Sequence, residues 1–355
     1  MKRIFTLYLF ALFCLISQAQ EELYERVYVH TDKTCYLAGE EVWIKFYTTD
    51  THFQPSFFSK VGYVEISNAE RPQAQLKLAL DNGSGSGKIK IPADAPSGIY
   101  ELSGYTQYMR NEGEKIFFRK QIAIINTFRI AESDPITLAD STETYPKEVA
   151  AMNGNIRINT SRPSYSMRQP VELTINGLPE EVSDLIVSVS RNDSLVILPH
   201  HEESVWRQQV TSTPGTFSGQ WVPEYEGHII RGQIQTPEGE TLKQIQNKHV
   251  SADIAFVGKD IRYVQGQVDV EGNARFYTSN IFGINDIVAA AWGANGESYQ
   301  MNILSPFCEN LPKNLPQLKL YRNKKRLLER SIGIQLQQVV MLDSLDHGIP
   351  LQSCY

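Results

Sequence analysis

Four cysteines in 355 residues are too few for a scaffold held together by disulfides. Charge of one sign is also lacking. The chain carries 34 basic against 40 acidic residues, a formal net charge of −6, which excludes the electrostatic footprint of a nucleic-acid binder. Beyond the first twenty residues no run of about 18 apolar residues occurs, so no transmembrane segment is expected. The patterns of bond-making chemistry are missing too. No Gly-x-Ser-x-Gly elbow sits on a strand-to-helix turn, and the nearest string, residues 83–87, reads as a low-complexity turn. No glycine loop with a following Lys and Ser or Thr could cradle a phosphate chain. The densest polar cluster is His200, His201, Glu202 and Glu203. Neighbours on an extended chain point to opposite faces and do not converge as metal ligands, so this cluster reads as a loop. No catalytic residue, metal or cofactor is expected, and the chain does not read as an enzyme.

What is present begins with Lys2 and Arg3, an apolar run from Ile4 to Ile16, and the small residues Ser17 and Ala19. This is the pattern of a signal peptide, residues 1–19, cleaved after Ala19 to give an exported chain. Cys14 lacks the small and polar neighbours of a lipidation site. Without it Cys35, Cys308 and Cys354 remain. An odd number leaves one thiol over, and the sequence favours Cys308 with Cys354 as the bridge, since both lie in the C-terminal region. Cys35 reads as a small buried residue in a turn.

The organising stretch is Arg26 to Thr48. Val27 and Val29 alternate with polar residues, a polar turn runs from Thr31 to Thr34, and alternation resumes at Val42, Ile44 and Phe46. That is strand, corner, strand. The pattern returns at Asn155 to Thr174, where Thr160, Arg162, Tyr165 and Val171 stand in the places of Thr31, Lys33, Tyr36 and Val42. The offset is constant at 129, as 156 − 27 and 171 − 42 both give. A repeat about one domain long points to sandwich modules in tandem. His30 and Asp32 look like half of a catalytic dyad, but the repeat replaces them with Asn159 and Ser161 while keeping the turn, which marks a structural corner.

Further strands are expected at Val61 to Ser67, Gln75 to Leu80, Gly87 to Pro92 and Lys115 to Asn126, with 81–87 as a flexible glycine-rich turn. Tyr100 and Tyr105 read as sandwich packing with a corner hydroxyl on backbone. No strong helical periodicity appears in this first module. An antiparallel, all-β sandwich is the economical answer.

The phrase HTDKTCYLAGEEVWIKFY resembles the opening of a macroglobulin-like domain of the MG2 type, the building block of alpha-2-macroglobulin and complement-type proteins. Thr31, Asp32, Lys33, Tyr36, Gly39, Glu40 and Val42 carry the motif, while Cys35 and Ala38 depart from it. Residues 91–126 resemble the end of the same domain in exported, outer-membrane-associated bacterial proteins. The thioester of active macroglobulins needs a Gly-Cys-Gly-Glu-Gln setting, which none of Cys35, Cys308 and Cys354 has. The phrase from Val264 to Thr278, with Gly266, Val268, Asp269, Gly272 and Phe276, is similar to a small carboxypeptidase-regulatory-like sandwich found in the same bacterial proteins.

The expected organisation is therefore a macroglobulin-like β-sandwich over 20–127, a linker over 128–152, a second such sandwich over 153–225, a carboxypeptidase-regulatory-like sandwich over 226–305, and a tail over 306–355. Residues 185–190 are expected as a half-buried strand of the second module. In the tail Lys313, Lys319, Arg322, Lys324, Lys325, Arg326 and Arg330 form a basic run read as a solvated face. An amphipathic segment follows through Ile334, Leu336, Val339, Val340 and Leu342. Ser141, Ser194 and Ser344 each follow an Asp and fit a short bacterial O-glycosylation motif.

The resemblance implies a non-catalytic binding or scaffold protein of the cell envelope, periplasmic or outer-membrane-associated, with a protein partner that could be an outer-membrane receptor. It leaves two alternatives open: an endopeptidase-inhibitor-like protein without a thioester, or an accessory module of a TonB-dependent transport system.

Overall fold

The computed structural model describes residues 24–50, 52–128, 136–139, 156–166, 169–178, 185–189, 216–235, 250–258, 261–281, 283–308, 311–321 and 327–336. The signal peptide, the cluster at 200–203, Cys354 and the serines 141, 194 and 344 lie outside these residues.

Strands dominate. The first sandwich is built from β1 (Arg26–Thr31), β2 (Cys35–Leu37), β3 (Glu41–Thr49), β4 (Val61–Ser67), β5 (Pro72–Ala79), β6 (Ser84–Lys90), β7 (Gly98–Tyr105) and β8 (Phe118–Ile125). One sheet has the order β1-β3-β6 and the other β2-β8-β7-β4-β5. All pairs are antiparallel except β2 with β8, which run parallel. The chain changes sheet at the corner after Thr31. β1 and β3 pair with each other, and the short β2 between them crosses to the opposite layer. The alternation read from the sequence appears as burial: Val27, Val29, Val42, Ile44 and Phe46 face Tyr63, Val64, Ile66, Leu102 and Ile122 across one core.

The glycine-rich run is not a flexible turn over its length. Only 81–83 turn, with Gly83 at φ 71°, and Ser84 to Lys90 form β6 against β3. The reason is space. A Cβ on Gly85 would meet the Ala79 carbonyl oxygen, and one on Gly87 the Leu78 side chain. These glycines let β6 lie close against its neighbours.

β10 (Arg157–Thr160) and β11 (Leu173–Asn176) form an antiparallel pair in the second module. Residues 185–189 are described without a strand, and Val187 and Val189 are exposed. Alternation alone does not make a strand, because backbone donors and acceptors need a ladder partner.

The third unit has two four-stranded sheets. β12 (Ile229–Ile234), β13 (Ser251–Val257), β14 (Arg262–Gln265), β15 (Gln267–Val268), β16 (Asn273–Tyr277), β17 (Asp286–Trp292), β18 (Ser298–Tyr299) and β19 (Met301–Ile303) pair in the orders β15-β16-β12-β19 and β14-β13-β17-β18. Their facing sides bury Ile230, Ile234, Ile254, Phe256 and Phe276. The Asp-to-Gly turn joins β15 to β16: Asp269 Oδ1 accepts the N–H groups of Glu271 and Asn273, each at 2.9 Å, and Gly272 has φ 79°.

Within the stretch expected as a linker, β9 (Ile136–Ala139) pairs in parallel with β20 (Leu318–Tyr321) of the tail. Residues 327–336 are helical.

Candidate functional site

The corner is assembled from residues a few positions apart. Thr31 Oγ1 donates to the Lys33 carbonyl at 2.7 Å, and the Lys33 N–H donates to the Tyr36 hydroxyl at 3.1 Å. That hydroxyl donates to Asp32 Oδ1 at 2.7 Å, and Asp32 Oδ1 also accepts the Trp43 N–H at 3.1 Å. Burial and the charge of Asp32 push the Tyr36 hydroxyl far above its ordinary pKa, so it stays protonated and able to donate. Gly39 has φ 89°, a left-handed conformation that glycine adopts without strain, and turns the chain from β2 into β3. Glu40 Oε2 accepts the Leu37 N–H at 3.0 Å, and Val42 is buried in the core.

The second module repeats four of these bonds. Thr160 Oγ1 donates to the Arg162 carbonyl at 2.7 Å, the Arg162 N–H donates to the Tyr165 hydroxyl at 3.0 Å, and that hydroxyl meets Ser161 Oγ at 2.9 Å. Ser166 N–H donates to Gln169 Oε1 at 3.1 Å, as Leu37 N–H does to Glu40. Strand register repeats as well. Val29 lies opposite Phe46 and Thr31 opposite Ile44; Ile158 lies opposite Ile175 and Thr160 opposite Leu173.

The two corners differ in what meets them. At the first, Arg330 closes a fork on Glu40, with Nε to Oε1 at 2.9 Å and a terminal nitrogen to Oε2 at 2.8 Å; the same nitrogen donates to the Cys35 carbonyl at 2.7 Å. Lys33 Nζ adds a contact of 3.1 Å to Glu40. Burial raises the Glu40 carboxyl, but the Arg330 hydrogen bond and charge, the Lys33 charge and the Leu37 N–H outweigh it and hold it below the ordinary glutamate range. Leu315, Leu318, Leu327 and Ile334 of the tail pack on Cys35, Leu37, Ile99, Ala123 and Ile125. Ser331 and Thr127 hydroxyls meet at 3.0 Å. The basic run is therefore not a solvated face throughout. Lys313 and Lys319 are exposed, whereas Arg330 is drawn into the corner with Leu327, Ser331 and Ile334, a helical stripe at i, i+4 and i+7. Arg322, Lys324, Lys325 and Arg326, with Val339, Val340 and Leu342, lie outside the described residues.

At the second corner Gln169 replaces the carboxylate and Arg162 replaces Lys33. Both are exposed.

Elsewhere the first sandwich is joined to distant segments through a buried polar seam. Tyr63 donates to the Glu224 carboxylate at 2.9 Å, His228 Nδ1 lies 3.0 Å from both, and the Ile229 N–H donates to Glu224 Oε1 at 2.8 Å. Burial and the charge of Glu224 hold the Tyr63 hydroxyl well above its ordinary pKa. Glu65 Oε1 accepts the Tyr105 hydroxyl at 2.6 Å and the Cys308 N–H at 2.9 Å. Cys308 is buried and its thiol donates to Glu114 Oε1 at 2.7 Å. Asn111 takes hold of 218–221: its Nδ2 donates to the Trp221 carbonyl at 2.8 Å and its Oδ1 accepts the Trp221 N–H at 2.9 Å. Tyr100 makes the expected corner bond, hydroxyl to Pro96 carbonyl at 2.6 Å, whereas Tyr105 serves the seam. In these contacts each acid is met by donors from the chain itself, so the chemistry available is docking of one segment on another. Glu224, His228, Asn111 and Trp221 were missed from sequence because their partners lie more than a hundred residues away; the only local trace is the Glu-to-His spacing of four. Among the described residues no cluster of His, Cys, Asp and Glu has the arrangement of a metal site, and no helix is long and apolar enough to cross a membrane.

Fold and site together define an all-β protein of stacked sheets with a duplicated corner, one copy of which holds the chain's own tail. No family model matches the chain, and no curated protein matches it. Among solved structures, it is similar to the native conformation of Escherichia coli alpha-2-macroglobulin at 9% identity, over 80% of this chain and 14% of that one, with a TM-score of 0.24. Salmonella alpha-2-macroglobulin reacted with methylamine matches at 8% identity, over 79% of this chain and 23% of that one, at 0.25. The three N-terminal domains of the bacteriophage RB49 outer capsid protein Hoc match at 7%, over 78% of this chain and 68% of that one, at 0.19. The chain thus spans under a quarter of the length of these macroglobulins.

Proposed function

We propose that this chain is an exported, non-catalytic scaffold of the cell envelope, built of macroglobulin-like sandwiches, that presents surface to a protein partner. The observation that carries the reading is the duplicated corner. The motif that resembles a macroglobulin-like opening recurs with the same register and four of the same hydrogen bonds, and its first copy already works as a docking point, holding the tail through Glu40 and Arg330. Contact between preformed surfaces is what such corners do, with no bond made or broken. Sheet edges and seams between modules offer further surface for a partner, an outer-membrane receptor included.

Two measurements test this. Cell fractionation with mass analysis of the mature chain is expected to find it outside the cytoplasm, starting at Gln20; an unprocessed cytoplasmic chain overturns the export. Incubation with a panel of endopeptidases is expected to leave their activities unchanged, and substoichiometric inhibition of any one replaces the scaffold with an inhibitor.

A further inference from the structure

The outer face of the sheet β14-β13-β17-β18 is largely apolar, where an antiparallel sheet that meets water is ordinarily polar. On β13, Ala252, Ile254 and Phe256 point into the core, so Asp253, Ala255 and Val257 lie on the outside. Register fixes what stands beside them. Tyr263 and Val288 flank Ala255, Gln265 and Ala290 flank Asp253, and Trp292 follows two residues on from Ala290. Val257 is 44% exposed, Val288 59% and Tyr263 65%.

Within this face sits a carboxylate held out of the water. Asp253 is 4% exposed, and its Oδ1 is buried with no hydrogen-bond partner among the described residues. The carboxylate raises the Tyr263 hydroxyl above its ordinary pKa, which puts the head of that tyrosine at the acid; the exposed ring can swing aside. No cation of the described chain meets Asp253. Arg262, the residue before Tyr263 on β14, turns instead to the Ser279 carbonyl at 3.2 Å.

A buried carboxylate without donors costs free energy, and the free chain bears that cost. A partner that brings donors removes it. An ionised acid only accepts, so the partner must present N–H groups, and an arginine or lysine can lay its stem on the apolar side chains while its head reaches the acid. A second copy meeting this face with the same face would bring another carboxylate and no cation. A bilayer would leave the acid unpaired in hydrocarbon.

Building on the scaffold reading, and independently of export, we propose that this sheet face docks a protein partner presenting one arginine or lysine from an otherwise apolar surface, the cation meeting Asp253 and the apolar surface meeting Tyr263, Val288 and Trp292. Anisotropy titration of the full chain with a fluorescent amphipathic helical peptide tests it. The peptide carries one arginine at the centre of an apolar stripe, and the comparators carry citrulline, its neutral isostere, or glutamate there. The arginine peptide is expected to bind saturably and about tenfold tighter than the citrulline one, the worth of a charge-assisted hydrogen bond, with the glutamate peptide weaker still. Asp253→Asn should abolish that preference, and Val288→Glu should weaken binding of the arginine and citrulline peptides alike. Without peptide, Asp253→Asn should melt no lower than the parent, since it removes an unpaired buried charge; a lower melting temperature marks the acid as structural and overturns the proposal. Equal binding of the arginine and citrulline peptides, or a preference that survives in Asp253→Asn, overturns it too. So does self-association of the chain that Val288→Glu abolishes, which gives the face to a second copy. These outcomes strike this docking surface alone, whereas inhibition of an endopeptidase strikes the scaffold.

Discussion

Replacing Arg330 by Leu would keep the stem that packs beside the corner and remove the charge that Glu40 meets. Both side chains of the pair are only 10% exposed, and the guanidinium makes three short contacts, two on Glu40 and one on the Cys35 carbonyl. Removing one partner of a buried pair costs about 3–5 kcal/mol. Lys33 stays on Glu40 at 3.1 Å, so the low end applies, about 3 kcal/mol. If that energy holds the tail on the first sandwich, its loss speeds cleavage of the tail by a protease about a hundredfold under conditions where opening is in equilibrium. A double-mutant cycle with Glu40→Gln isolates the pair, and a coupling of about 2 kcal/mol is expected. The sign of the pH effect follows from the lowered Glu40 carboxyl. Its contribution is present above the ordinary value of 4.5 and fades as pH falls below it. Arg330→Leu should therefore flatten the acid limb of the stability curve. A coupling under about 0.5 kcal/mol, the range of an exposed pair, with a cleavage rate changed less than about threefold, would refute the reasoning.

Tyr36→Phe removes a hydroxyl that serves both Asp32 and the Lys33 backbone, and should cost about 1–3 kcal/mol in denaturant unfolding, whereas Tyr165→Phe at the more exposed second corner should cost under about 1 kcal/mol. Gly85→Ala puts a methyl against the Ala79 carbonyl oxygen, which as backbone cannot turn aside, and should lower stability by about 1–3 kcal/mol by the same assay. Glu25 is fully buried, and burial raises its carboxyl despite hydroxyl donors on Ser56, Ser59 and Thr106. The sign is opposite to that of Glu40: the folded form binds its proton more tightly, so stability falls as pH rises from 4.5 through the raised value. Glu25→Gln should remove that decline in melting experiments between mildly acidic and neutral pH.

Alternation and turn chemistry act over two to eleven residues, and features of that reach were legible before any coordinates. The strands around the first corner, the corner bond of Tyr100 and the Asp269-to-Gly272 turn are all of this kind. The duplicated corner is the strongest case, since a side chain three or five positions on decides where the chain turns, and the same spacing 129 residues later gives the same register. Local pattern misled where a strand depends on its neighbour. The glycine-rich run became β6 because β3 and the space beside Ala79 accept it, and residues 185–189 remained irregular despite their alternation.

What the tertiary structure alone decided is which distant group each polar residue meets. Glu40 is paired with a residue 290 positions away, Tyr63 with one 161 away, and the Cys308 backbone with Glu65 243 away. Residue type announces that a buried carboxylate needs donors, but not which ones, because closing a long loop costs nearly the same entropy for many partners. Packing of the sheets made that choice. It set Arg330 rather than its basic neighbours Lys313 and Lys319 against the corner, and stacked Arg110 and Arg231 on Trp221 with no word of it in the linear chain.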